Sequence, residues 1–200
     1  TPNEAYFAHA DYVISAAAER GILVLLGPLY LGWDCGSDGW CAELKAAPSE
    51  DLHYWGQYVG NRYKDYPNNM WVIGGETDPT SFLGVTYKER AFVTGLKQVD
   101  NNHQVTAHNA LGQMAVDPWP GETWLTLISI YTNQLTYPLA KNAYNLSPIM
   151  PYFGIEAYYE NEHGMTQKDL RAQAYWTHLS GSIGHIFGNC PIWNFASVLY

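Results

Sequence analysis

The chain has 200 residues, 47% hydrophobic and 15% aromatic, with 8 Trp and 16 Tyr. That is enough apolar material for one sizeable core and excludes a disordered chain. Its 19 acidic residues against 10 Lys and Arg leave a formal charge of -9, and no basic run tracks phosphates, which excludes nucleic acid and anionic membrane as partners.

In chain order, Asn3 to Arg20 places Tyr6, Phe7, Ala10, Val13, Ile14, Ala17 and Ala18 at spacings of three and four and stops at Gly21, which predicts a helix with a glycine C-cap. Ile22 to Leu26 reads as a buried strand. Its exit carries Pro28, Tyr30, Trp33 and Asp34 into a Gly-rich loop that reaches Trp40. Cys35 and Cys41 flank that loop and could either close a disulfide or stay reduced, with Cys190 left over. Ser49 can cap a second helix bearing Leu52, Trp55, Val59 and Tyr63, which must end before Pro67. The strand Trp71 to Gly75, a helix over Lys88 to Asp100 and the strand His103 to Ala107 follow. A long loop with Trp119, Pro120 and Gly121 leads to a strand at Trp124 to Ile130. Next come a helical stretch around Leu139 to Tyr144 and a strand at Ile149 to Ile155. Thr166, with Asp169 at the third position, caps a fifth helix to about Leu179, and Ile183 to Phe187 is the last strand.

Six apolar strands alternating with five helices predict an α/β fold with parallel strands. No Gly-rich turn joins the first strand to the next helix, which disfavours a doubly wound nucleotide binder and favours a (β/α)8 TIM-type barrel. Only six of its eight βα units are then represented. The expectation is one catalytic barrel domain over residues 1–200, lacking its first two strands, with a missing segment or a partner chain completing it.

Two glutamates close apolar runs: Glu76 in Met70-Trp-Val-Ile-Gly-Gly-Glu76 and Glu156 in Pro151-Tyr-Phe-Gly-Ile-Glu156. In parallel α/β folds the chemistry lies at the carboxyl ends of strands, and a pair of acids there is what glycosidic bond cleavage requires. They lie 80 residues apart (156 minus 76), which is three βα units at roughly 25 to 30 residues each. Few charges and many rings suit a neutral polar ligand such as a carbohydrate. The His residues follow neither a His-x-His nor a His-Glu-x-x-His pattern, so no metal and no cofactor are expected. Ser180-Gly-Ser-Ile-Gly184 precedes a strand where a nucleophile elbow must follow one, which removes a serine hydrolase.

Four segments in sequence, Trp71-Val-Ile-Gly-Gly-Glu-Thr-Asp-Pro79, His103-Gln-Val-Thr-Ala-His108, Gly154-Ile-Glu-Ala-Tyr-Tyr-Glu160 and Gly181-Ser-Ile-Gly-His-Ile-Phe-Gly-Asn189, are similar to the apiosidase-type glycoside hydrolases, family 140. The resemblance covers most of the chain. It implies a clan-A-like barrel whose acid/base and nucleophile stand on strands four and seven, with Glu156 as nucleophile and Glu76 as acid/base. Two departures bear on Glu76: the family often has Asp at its position, and clan A usually has Asn where Gly75 stands. Asp78 is therefore its rival. Tyr131, at the end of the strand before Glu156, resembles a clan A tyrosine that bonds the nucleophile.

His108, His185 and Asn189 lie at expected strand ends and could orient sugar hydroxyls; Asp34 and Glu160 are further polar candidates. Trp33, Trp40 and Trp193 are candidate stacking platforms. The expected activity is a retaining glycosidase acting on a polysaccharide or glycan in an extracellular or periplasmic setting. The alternative is a carbohydrate-binding or structural component derived from such a barrel, without turnover.

Overall fold

The computed structural model describes residues 2–190 together with 192 and 193. Helix α1 (Glu4–Ala18) starts on Asn3, whose side chain accepts from the Ala5 and Tyr6 amides, and the chain leaves it through Gly21 at φ 66°. There follow β1 (Val24–Leu26), α2 (Cys41–Ala46), α3 (Ser49–Tyr63), β2 (Asn69–Gly74), α4 (Val85–Val99), β3 (Val105–His108), β4 (Ile128–Tyr131), α5 (Thr136–Tyr144), β5 (Tyr152–Glu156), α6 (Gln167–Leu179) and β6 (Gly184–His185). None of these helices is long and apolar enough to cross a membrane.

The differences from the sequence reading have physical causes. Apolar runs overshoot the strands, because Trp124 and Leu125 are buried by turns before β4 rather than by pairing. Helix α2 is too short to show a period, and α3 begins after Pro48 with no side-chain cap, so Ser49 is its first residue rather than its cap. Between β3 and β4 runs the long loop expected there, so one of the five expected helices, α1, precedes β1 instead of lying between strands. No helix crosses in that loop; Trp119 and Trp124, edge to face at 5.4 Å, cover the sheet instead. The Thr166–Asp169 capping box forms as expected.

All paired strands are parallel, in two sheets ordered β1-β2-β3 and β4-β5-β6. The sheets run side by side where the Thr126 and Leu127 amides donate to the Val105 carbonyl and the Ser129 hydroxyl to that of Ala107. One face of this wall, with Trp71, Ile73, Val105 and Ile128, packs under the helices alongside Phe92 and Leu96. The other face collects Met70, Val72, Leu127, Tyr131, Phe153 and Ile155. Helices α3 and α4 lie in backbone contact, since a Cβ on Gly56 or Gly95 would collide with the Phe92 or His53 carbonyl of the opposite helix.

Glu89, on the inner stripe of α4, is 1% exposed, and its Oε2 has no hydrogen-bond partner. Burial pushes its carboxyl up to about 8. The folded state therefore holds a proton that the unfolded chain releases near pH 4.5. Stability is fullest below that value and declines as pH rises towards 8, with a slope of up to about 1.4 kcal/mol per pH unit. Glu89→Gln, which cannot ionise, is expected to flatten this slope and raise the denaturant midpoint at pH 8; parallel curves for variant and wild type would remove Glu89 as the responsible group.

Candidate active site

The carboxyl end of β2 carries three consecutive residues at positive φ: Gly74 (75°), Gly75 (159°) and Glu76 (45°). For a glutamate that conformation is strained and persists only where surroundings impose it. Here they do. Asp34 donates its amide to the Glu76 carbonyl at 3.2 Å, the Thr77 hydroxyl donates to the Gly32 carbonyl at 2.7 Å, and the same hydroxyl accepts from the Cys35 amide at 2.9 Å. Cys35 is in turn joined to Cys41 by a disulfide, so the loop after β1 is stitched across the end of β2. That loop lays the Tyr30 ring where a Gly75 Cβ would stand, which explains a glycine at this position. The Tyr30 hydroxyl donates to Glu76 Oε2 at 2.6 Å, and the Tyr131 hydroxyl donates to Oε1 at 3.1 Å.

Glu156 arrives by a different device. Ile130 pairs with Gly154 but Tyr131 pairs with Glu156, so β5 uses two residues where β4 uses one. Phe153 and Ile155 belong to the inner face, and strict alternation would send Glu156 outwards with Tyr152 and Gly154. The bulge at Ile155 restores it to the inside. There its Oε2 lies 3.1 Å from His108 Nε2, close enough to pair when the ring is protonated but out of hydrogen-bond alignment. His108 itself rests edge-on against the Tyr131 ring at 4.9 Å.

Both acids open into one cavity of about 530 Å³, bordered by Tyr30, Trp33, Asp38, His108, Tyr131, Asn133, Tyr158, Tyr159, Glu162, His163 and Trp193. The phenols of Tyr30, Tyr131 and Tyr159 are pushed well above their ordinary pKa. Burial is the main cause in each, reinforced by the hydrogen bond to Glu76 at Tyr30 and by the charges of Glu156 and Glu76 at Tyr131 and Tyr159. All three stay neutral and can donate to an acid or a sugar without ionising.

Of the residues singled out from sequence, Glu76, Glu156, His108, Tyr131, Trp33 and Trp193 thus meet in this cavity. Tyr131 bonds Glu76 rather than Glu156. Asp78 lies outside the lining: it caps the short turn Pro79–Ser81, and although burial opposes ionisation, bonds from the Thr80 hydroxyl and amide and from Gln113 hold its carboxyl below the ordinary value. Asp34 is exposed and contributes only its amide. Glu160 and Asn189 also lie outside, tied to each other at 2.6 Å through the Asn189 amide. His185 turns towards Gly154 and Thr177 beneath α6, and burial lowers its pKa. Trp40 lines a separate, mostly apolar cavity of about 530 Å³ beside β1, with Phe7, Leu26 and Trp55.

Asp38, Asn133, Tyr158, Tyr159, Glu162 and His163 are not marked by the sequence, and Tyr30 is marked only as part of the exit of the first strand. Of the others, Tyr158 and Tyr159 carry a signal, as aromatic residues just past Glu156.

The profile of the apiosidase-like catalytic domain matches residues 1–198. The chain belongs to the apiosidase-like family. Among solved structures, a glycoside hydrolase family 5 protein from Bacteroides vulgatus ATCC 8482 matches with a TM-score of 0.80 at 24% identity, over 98% of this chain and 46% of that one. A protein described as a glycoside hydrolase matches at 0.78 and 24%, over 96% and 47%. Thermotoga maritima Cel5A, solved with mannotriose, matches at 0.56 and 15%, over 93% and 71%. At these identities the likeness is one of fold. The apiosidase-like chain spans less than half the length of the first two structures. No curated protein matches it by sequence.

Within this cavity, the Tyr30 hydroxyl holds Glu76 at 2.6 Å. Tyr30→Phe keeps the ring on Gly75 and removes only the hydroxyl. Its expected cost is about tenfold in kcat, in proportion to one lost charge-assisted hydrogen bond of about 1.5 kcal/mol. Steady-state kinetics together with thermal melting checks this, since an altered melting temperature would point to packing instead.

Proposed function

We propose that this chain is the catalytic part of a retaining glycoside hydrolase that acts on a polysaccharide or glycan. The observation that carries the reading is the convergence of Glu76 and Glu156, from the carboxyl ends of β2 and β5, in one cavity walled by Trp33, Tyr158, Tyr159 and Trp193. Glu156 attacks the anomeric carbon while Glu76 gives its proton to the glycosidic oxygen, so the bond to the aglycone breaks as the bond to Glu156 Oε forms. Glu76, now a carboxylate, takes a proton from water, which attacks the same carbon and frees Glu156. Retention calls for carboxyl groups about 5 to 5.5 Å apart. Tyr30 and Tyr131 keep the Glu76 carboxyl aimed throughout, and His108 stands beside the attacking oxygen of Glu156.

The six strands are, in this reading, the third to eighth of a (β/α)8 barrel. Their order in the two sheets, the unpaired outer edges of β1 and β6 among the described residues and the apolar cavity beside β1 all favour it. The Cys35–Cys41 disulfide favours secretion into an oxidising compartment.

Hydrolysis of a panel of aryl glycosides, followed by NMR of the first-formed sugar, tests the proposal. The first product should keep the anomeric configuration of the substrate. An inverted product would overturn the double displacement, and no turnover across the panel by the full chain would count against the enzyme itself.

A further inference from the structure

The loop between β4 and α5 separates three depressions. Asn133 borders the acidic cavity and, with Gln134 and Leu135, also borders one depression of about 400 Å³ against α5 and another of about 310 Å³ against α6. The depression against α6 adjoins the acidic cavity at a second residue, because Tyr158 lines both. Trp176, half-buried, and Met165 complete its walls.

These walls are braced from behind. Gln173, 3% exposed, accepts the Tyr158 amide at 2.8 Å and donates to the Tyr158 carbonyl at 3.4 Å. The Gln173 carbonyl accepts from the hydroxyls of Thr136 at 3.1 Å and Thr177 at 2.8 Å, tying the start of α5 to α6. The Trp176 ring meets Tyr137 edge to face at 6.2 Å. A buried carboxamide with both ends committed to the backbone of one cavity residue fixes where that residue stands. The hydrogen bonds to the Glu76 carboxyl come from Tyr30 and Tyr131, outside this brace.

We propose that the depression against α6 is a sugar-binding subsite continuing the catalytic cavity, so that the substrate is a chain of neutral sugars rather than an isolated glycoside. The proposal rests on the glycosidase reading above. A sugar ring offers an apolar C–H face, which suits the Trp176 indole, and hydroxyls that both donate and accept, which suit the Asn133 and Gln134 carboxamides. Among the described residues the lining of the depression has no Lys, Arg or His to favour an acidic ligand, and the one carboxylate on the rim, Asp169, is turned to its own capping box, with Oδ2 accepting from the Thr166 amide at 3.0 Å and hydroxyl at 2.5 Å.

The test uses the full chain with Trp176→Ala and, separately, Gln134→Ala, whose parent side chain is exposed and whose loss spares the fold. For each, kcat/KM is measured on an aryl monoglycoside and on neutral oligosaccharides of three to six sugars sharing its glycone. Binding of the same oligosaccharides is measured by calorimetry in a Glu156→Gln background. The ratio of oligosaccharide to aryl kcat/KM is expected to fall about tenfold in Trp176→Ala and about threefold in Gln134→Ala, with matching losses of affinity, as for a lost ring contact and a lost hydrogen bond. A ratio within twofold of wild type in both variants overturns the subsite. Should wild type hydrolyse nothing while the oligosaccharides still bind and Trp176→Ala weakens them, the subsite stands and the glycosidase reading falls. Absence of oligosaccharide binding sinks the subsite.

Discussion

Glu156→Gln is expected to lower kcat on aryl glycosides by at least about 10⁴-fold, or about 5.5 kcal/mol of transition-state stabilisation, with little change in melting temperature. The amide keeps the volume of the carboxylate but cannot bond covalently to the anomeric carbon. Glu156 makes no aligned hydrogen bond to His108 and is only partly buried, and the amide oxygen of Gln can still accept from the Tyr159 hydroxyl, so its replacement strands no partner. The companion Glu156→Ala opens space beside the anomeric carbon. Added azide should then restore turnover of an activated aryl glycoside and give a glycosyl azide of inverted configuration, because the small anion attacks from the side the carboxylate held. A retained azide product would move the nucleophile to another residue.

Glu76→Ala should divide substrates by leaving group. For alkyl or sugar aglycones, which need a proton as they depart, kcat/KM is expected to fall about 10² to 10⁴-fold. For dinitrophenyl glycosides, whose phenolate leaves unaided, the first chemical step should change by less than about tenfold, and release of the glycosyl-enzyme becomes slow instead. The pH–rate profile should also lose its basic limb, since that limb reports the acid that must be protonated. Asp78→Asn is the paired control. Asn keeps the cap through its Oδ1, which Thr80 occupies, but turns an NH2 towards the Gln113 amide that donated to Asp78 Oδ2, so the change is expected to cost stability, about 1 kcal/mol for that lost bond, more than catalysis. If instead Asp78→Asn showed the leaving-group dependence and Glu76→Ala did not, the acid/base role would pass to Asp78.

Much of the fold was legible because parallel strands covered on both faces leave long apolar runs, and helices leave stripes. The runs of β2 and β5 therefore located Glu76 and Glu156 at strand ends. Length was misread where burial came from turns, as at Trp124, because an apolar residue records that it is covered and not by what. The long loop between β3 and β4 was legible from Trp119, Pro120 and Gly121, and in it two tryptophans do the covering that a crossover helix does elsewhere.

Around the two acids the limits are sharper. Aromatic residues near strand ends were visible, and Trp33 and Trp193 reach the cavity, yet Trp40, seven residues past Trp33, serves a different one. Asp78, Glu160 and Asn189 stand in the right segments, but short local bonds hold them elsewhere. Sequence position brings a side chain near a site, and competition for its hydrogen bonds decides whether it enters.

The sequence by itself determined the parallel α/β class, the family likeness and the two glutamates, because hydrophobic period and strand-end position are local properties of the chain. The tertiary structure alone decided how those glutamates are presented. Tyr30, 46 residues before Glu76, fills the space a Gly75 side chain would need and clamps the carboxyl from one side, with Tyr131 on the other. One extra residue in β5 turns Glu156 inwards against its own alternation. Neither the clamp nor the bulge has a local signature, since each is fixed by which distant strand and loop come to lie alongside.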